Sequence, residues 1–206
     1  MAEKLGSTRN DMKKSPYFIA VTGGIGSGKS AVIDCAKRLG FNTLSCDDLT
    51  DETYKKCKVK RYLKKNFKHA VKGVIIKKPV KSEIAKTVFK DREKLKNLTN
   101  FLAPIILAEC LKRAKKMGGT VFIEVPLLFE CNKADCFNSV IVVVRELEDR
   151  IKSVMERSNL SKEEVIDRIN AQFDYDSADL TDYVVIKNDG DLENLNSTFI
   201  SIMQEL

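Results

Sequence analysis

Eight residues decide most about this chain: Gly23-Gly24-Ile25-Gly26-Ser27-Gly28-Lys29-Ser30. They match G-x-x-x-x-G-K-[ST] at every fixed position. A short apolar run, Tyr17 to Thr22, precedes them, and Ala31 to Leu39 follows with the apolar spacing of a helix. Glycines at these places let successive backbone N–H groups turn toward one cluster of phosphate oxygens. The helix behind them aims its positive end at the same point. Lys29 is placed to reach the outer phosphates, and the Ser30 hydroxyl is placed to ligate Mg²⁺. A strand, loop and helix in this order predict a nucleoside triphosphate site over Gly23, Gly24, Ile25, Gly26, Ser27, Gly28, Lys29, Ser30 and Ala31. They leave open what happens to the triphosphate.

The rest of the chain repeats the alternation of buried strand and amphipathic helix. Asn42–Cys46, Thr120–Val125, Ser139–Val144 and Asp182–Ile186 read as further strands. TVFIEV and SVIVVV lack polar alternation, as strands of a parallel sheet do. Ser161-Lys162-Glu163-Glu164 is a capping box that should open a helix running to about Ala178. Asp191 to Leu206 predicts a terminal helix with Leu192, Leu195, Phe199 and Ile202 on one face. Five strands alternating with helices predict an α/β fold, a three-layer sandwich around a five-stranded parallel sheet. Residues 48–118 are too many for a simple crossover. They predict a helical insertion, broken at Gly73 to Pro79, in a single domain whose core is 16–47 and 119–206. Residues 1–15 read as a disordered tail.

Composition removes several classes of function. The longest aliphatic run, Val140 to Val144, is far short of the roughly 20 apolar residues that cross a bilayer. The first residues are polar and do not read as a secretory signal. Six cysteines without a CxxC pair therefore read as reduced thiols in a soluble, cytoplasmic chain. His69 is the only histidine, which speaks against zinc and against a Ser-His or Cys-His hydrolase. Charge is uneven. Residues 51–100 hold 17 Lys/Arg against 5 Asp/Glu, whereas the remainder is slightly acidic. Lys55 to Lys68 interleaves Tyr62 and Phe67 with basic residues, which admits nucleic-acid backbone binding, a polyanionic small substrate, or only a solvated helix face. Asn132-Lys133-Ala134-Asp135 spells the guanine-reading N-K-x-D, but it precedes a strand instead of closing one.

Several further segments, taken in order, carry the markers of one family. The loop has the form TGGIGSGKS (Thr22 to Ser30), with Ala31 where a threonine is usual. Ser45-Cys46-Asp47 is similar to the family's D-A-D with the first aspartate lost, and Pro126-Leu127-Leu128-Phe129-Glu130 to its PLLFE signature. Arg168-Ile169 with Gln172, Thr181-Asp182-Tyr183-Val184, and Asn188-Asp189-Gly190 resemble its R-I-x-x-Q, A-D-Y-V and N-x-G markers, and the ordered set resembles the dephospho-CoA kinase family. Other positions depart. Ala103-Pro104 stands for His-Pro, Lys81 for an arginine before Val88-Phe89, and Ser153 for the first arginine of the lid helix.

The resemblance implies ATP and Mg²⁺ as cofactors and dephospho-CoA as the small-molecule partner. Transfer to the ribose 3′-hydroxyl is the implied reaction, with another small-molecule kinase of the same fold as the alternative and a nucleic-acid-binding ATPase as one from a different class. Asp47 would orient the hydroxyl and accept its proton. An ordinary carboxylate, with a pKa of about 4, is a weak base for that task, so orientation should matter as much as proton transfer. Lys29 and Arg157 would neutralise developing charge. Arg150, one turn before Ser153 in a lid spanning about 146–178, would supply the missing guanidinium. Glu124 would support Mg²⁺ through water or serve as a structural carboxylate. The insertion would bind the acceptor.

Overall fold

The computed structural model describes residues 16–68, 71–72, 78–79, 81–88 and 91–205. The expected tail, His69 and Phe89 lie outside the described residues. Strand β1 (Tyr17–Thr22) runs into the glycine loop, and α1 (Lys29–Arg38) leaves it. The helix starts two residues before the position that apolar spacing predicts. Gly28 caps it from the left-handed region, φ 102°, so Lys29 and Ser30 occupy the first turn, where backbone amides are unspent.

Strand β2 (Asn42–Ser45) and α2 (Cys46–Lys55) abut without a loop. The expectation of a strand through Cys46 is corrected here. The Ser45 side chain accepts the Asp47 amide at 3.2 Å and nucleates the helix at once. Asp47 therefore stands in a helical first turn, not at a strand end. The insertion continues with α3 (Cys57–Asn66), a two-stranded antiparallel pair β3 (Val71–Lys72) and β4 (Lys78–Pro79), α4 (Lys81–Val88) and α5 (Arg92–Met117). The core resumes with β5 (Thr120–Glu124), β6 (Ser139–Val144), α6 (Leu147–Ser158), α7 (Lys162–Asn170), β7 (Val184–Lys187) and α8 (Leu192–Glu205).

The five long strands form a parallel sheet in the order β2-β5-β1-β6-β7. Its register pairs Val21 with Glu124 and Glu124 with Ser45, so the loop after β1, Glu124 and the start of α2 meet at one carboxyl edge. Alternate strand residues feed two cores. Ala20, Val121, Ile123 and Val142 pack with α2 and α5, whereas Ile19, Val21, Phe122 and Ile141 pack with α1 and α8. That is the expected three-layer sandwich.

The insertion has its own apolar cluster, in which Val59, Leu63, Phe67, Ile84, Leu98 and Leu102 are buried. Helix α5 joins the two regions: Leu98 and Leu102 belong to this cluster, Cys110 and Ala114 to the sheet core. The capping box at Ser161 forms as predicted, with both reciprocal bonds to Glu164. Helix α7 then stops at Asn170, eight residues before the expected end. The Asp174 carboxylate accepts the amides of Asp176 and Ser177, a local turn that competes with helix. Leu192, expected on the inner face of α8, is 54% exposed because it is the first residue of the helix and stands clear of the contact made by Leu195 and Phe199.

Candidate active site

The loop and α1 together make an anion cradle. Gly28 is required twice over: a Cβ there would be strained at its φ and would lie 2.3 Å from the Asn188 Nδ2. Asn188, just past β7, donates to the Ser27 carbonyl at 2.8 Å and braces the loop from behind. The Lys29 side chain folds back across the loop, 9% exposed, with Nζ donating to the carbonyls of Gly23 and Gly24 at 3.0 and 2.9 Å. Burial pushes its pKa below the usual lysine range. Glu124 and Asp47 oppose that fall, and Arg157 and Arg150 add to it. The cations and carboxylates named from the sequence therefore share one electrostatic neighbourhood.

Ser30 Oγ donates to Glu124 Oε1 at 3.2 Å. Burial raises the Glu124 pKa, against the pull of Lys29 and the Ser30 hydrogen bond. A hydroxyl and a carboxylate oxygen side by side are hard donors of the kind Mg²⁺ takes, with phosphate oxygens and water completing its shell. Among the described residues no group of three or more His, Cys, Asp or Glu could hold a metal ion by itself.

Asp47 borders an apolar cavity of about 200 Å³ walled by Cys46, Leu102, Ala103, Val125 and Leu128. A larger cleft of about 530 Å³ lies beside it, sharing Thr99, Pro126 and Leu127, and carries Lys96, Glu130, Arg168 and Gln172 on its walls. Both are framed by α5 on one side and the PLLFE segment on the other.

Helix α6 places its two arginines differently. Arg157 is exposed on α6. Arg150 is 4% exposed and lies against the loop: Nε donates to the Ile25 carbonyl at 3.1 Å, and Nη1 is 3.6 Å from Asp176 Oδ2. Ser153 is half-buried one turn further along. Three contacts carry roles that sequence reasoning did not assign. Gln172 Oε1 accepts the Ile25 amide at 2.7 Å, Asn188 braces Ser27, and Glu130 Oε1 accepts the Phe173 amide at 2.9 Å. All three are polar residues inside motifs already singled out, which was the available signal.

The basic segment is less available than its sequence suggests. Tyr62 spends one ring face stacking on Phe101 at 3.8 Å, and Phe67 is buried in the insertion core, so the two rings do not form a stacking platform for nucleic-acid bases. Lys56 pairs with Glu109 at 3.1 Å, whereas Lys55 and Lys58 are exposed. Asn132 to Asp135 forms a turn, and a 3₁₀ segment (Ala134–Cys136) leads into β6. Among the described residues no helix is long and apolar enough to cross a membrane.

A phosphate loop on the central strand, a carboxylate at the neighbouring strand's edge and helices packed over the loop make this a P-loop kinase by class. Shikimate kinase from Acinetobacter baumannii shares the fold at a TM-score of 0.51 and 11% identity, over 95% of this chain and 94% of its own. The match sharpens within the class. The dephospho-CoA kinase family model matches residues 17–194. A dephospho-CoA kinase of Thermus thermophilus is 32% identical over 94% of this chain and 93% of its own length. One from Arabidopsis thaliana is 30% identical over 92% and 83%. A crystal structure from Thermus thermophilus aligns at a TM-score of 0.77 and 32% identity, over 93% of this chain and 98% of its own. The chain belongs to the dephospho-CoA kinase family.

Proposed function

We propose that this chain transfers the γ-phosphoryl group of ATP to the ribose 3′-hydroxyl of dephospho-CoA, giving CoA and ADP. Family membership makes it a kinase of coenzyme A synthesis. The observation that carries the residue-level reading is that Asp47 borders the apolar cavity and, together with Glu124, lies within electrostatic reach of Lys29. The acceptor is read as lying along the two adjoining cavities, with its 3′-hydroxyl at Asp47.

Phosphoryl transfer depends on alignment and charge neutralisation more than on covalent help from the protein. The loop amides hold the triphosphate, and Lys29 leaves the carbonyls of Gly23 and Gly24 to meet its outer phosphates. Asp47 orients the 3′-hydroxyl in line and takes its proton as the new O–P bond forms. The old bond to the β-phosphate breaks, and the charge left on ADP is met by Lys29 with Arg157 and Arg150. Ser30 and Glu124 are the residues that would hold Mg²⁺, which when bound neutralises phosphate charge. A cytoplasmic setting belongs to this reading and is supported by six free cysteines.

The test is transfer by the purified protein with Mg·ATP and a panel of dephospho-CoA, AMP, CMP, adenosine and pantothenate, read by mass spectrometry, with Lys29→Ala as control. Phosphate should appear on dephospho-CoA alone. Asp47→Asn should lower turnover at least about a hundredfold while ATP affinity changes little. Transfer to a different acceptor overturns the substrate assignment. Near-normal turnover by the variant removes Asp47 from the mechanism.

A further inference from the structure

Ile25 fills a position that the loop motif leaves free, yet the lid holds it from three sides. Its amide donates to Gln172 Oε1 at 2.7 Å, and its carbonyl accepts from Arg150 Nε at 3.1 Å. Its side chain packs against the lid's own apolar cluster, Ile151, Val154 and Val165. The flanking glycines permit this seating. A Cβ on Gly24 would lie 2.3 Å from Arg150 Nη2, and one on Gly26 would lie 2.7 Å from the Arg150 carbonyl. The leading half of the phosphate loop is therefore built into the lid and not only into the sheet.

Gln172 has a second aspect. Besides holding the Ile25 amide, it lines the larger cleft together with Ile25, Lys96 and Arg168. Its neighbour Phe173 is fixed to the PLLFE segment through Glu130 Oε1, so the backbone beneath Gln172 is anchored from the opposite wall of that cleft. We infer that Gln172 is a positioning residue that couples occupancy of the acceptor cleft to the shape of the phosphate loop. This rests on the reading of that cleft as part of the acceptor site. An acceptor seated there packs against the side chain that fixes the Ile25 amide, so filling the cleft restrains that side chain and, through it, the loop. Without the Gln172 oxygen, Ile25 loses the lid's hold on its amide, which can turn toward water or phosphate independently of the acceptor.

Two variants separate this role from simple packing. Gln172→Met keeps the length of the side chain and removes the accepting oxygen. Gln172→Glu keeps the oxygen and adds a negative charge. With Mg·ATP and dephospho-CoA, the Met variant should lose about tenfold in turnover while ATP affinity stays within about twofold, and more of its ADP should form without phosphorylated product. The Glu variant should restore the ratio of product to ADP although it binds ATP more weakly. Amide hydrogen exchange across residues 24–26, with Mg·ATP alone, reads the anchor with no acceptor needed: exchange should quicken in the Met variant and stay slow in the Glu variant. Unchanged exchange and coupling in the Met variant overturn the inference, as does equal loss in both variants. If the wild-type protein transfers nothing to dephospho-CoA, the substrate reading fails, and the exchange comparison still decides whether Gln172 anchors the loop.

Discussion

Two ionisable residues at the site have been pushed toward neutrality by the same burial. Lys29 must be charged to serve the phosphates, and its pKa is lowered, so the alkaline limb of activity should fall at a pH below that of an ordinary lysine. In the proposed mechanism Glu124 must be charged to support Mg²⁺, and its pKa is raised, so the acid limb should begin above the ordinary carboxylate range of about 4.3. A profile of kcat/KM for ATP should show both limbs drawn inward, and limbs at ordinary values would contradict it. The stability consequence of Glu124 has a definite sign. Its pKa is higher in the folded than in the unfolded chain, so its stabilising contribution is full at low pH and is lost as pH rises through the folded value. Once ionised, its charge is a net burden on the fold. Glu124→Gln should therefore raise Tm while lowering turnover by about tenfold or more, measured by thermal unfolding beside the transfer assay. A lowered Tm would mean that the partnership with Lys29 outweighs the burial of Glu124.

At the scale of elements, the junction of β2 and α2 positions Asp47, the carboxylate proposed to orient the acceptor hydroxyl. The Ser45 side chain closes the first turn on the Asp47 amide, so the cap and the aspartate are one unit. Ser45→Ala should cost about 1 kcal/mol of stability and lower kcat more than it raises KM, because Asp47 loses its fixed bearing. Ser45→Thr keeps the accepting hydroxyl and should keep most of the activity. Helix α3 makes a different offer. Val59 and Leu63 bury one face in the insertion core, and Lys55, just before it, and Lys58 stay exposed while Lys56 is held by Glu109. Neutralising Lys55 and Lys58 together should raise the KM for dephospho-CoA at low salt, and the difference should shrink as salt screens the charge. An unchanged KM would make α3 a solvated face and nothing more.

Over the whole molecule, two separately packed regions share one helix. Phe67 and its neighbours form a core distinct from the two beneath and above the sheet, and α5 passes from one to the other beside both cavities. Damage to the insertion should therefore spare the nucleotide end. Phe67→Ala, a deletion of a buried ring of the kind that costs about 3–5 kcal/mol, should abolish transfer to dephospho-CoA while ATP still binds. Calorimetric titration with ATP, run beside the transfer assay, checks this. Simultaneous loss of both functions would show that the two cores unfold together. The lid is attached differently: Phe129 packs against Phe173 and Tyr183 with ring centroids 4.8 and 5.1 Å apart, which ties the PLLFE segment to the return from α7.

What the amino-acid sequence determined alone is what short range determines. The loop from Gly23 to Ser30, the buried strands β5 and β6 and the capping box at Ser161 depend on residues within a few positions of one another, and each appears where it was expected. The family, too, was legible, because its markers are short and ordered. Tertiary structure decided the rest. Helix α2 displaced the end of a strand because one serine side chain competes for one amide, an outcome that apolar spacing does not encode. Arg150 became a buried brace because α6 folds over the loop. Gln172 and Ile25 are 147 residues apart, and Asn188 and Ser27 are 161 apart. Such pairs exist only because β1 lies between β5 and β6 in the sheet and brings three distant crossovers to one edge. No local period carries that order. It is set by which faces can be buried together, and so the phosphate loop could be read from the chain while the residues that shape it could not.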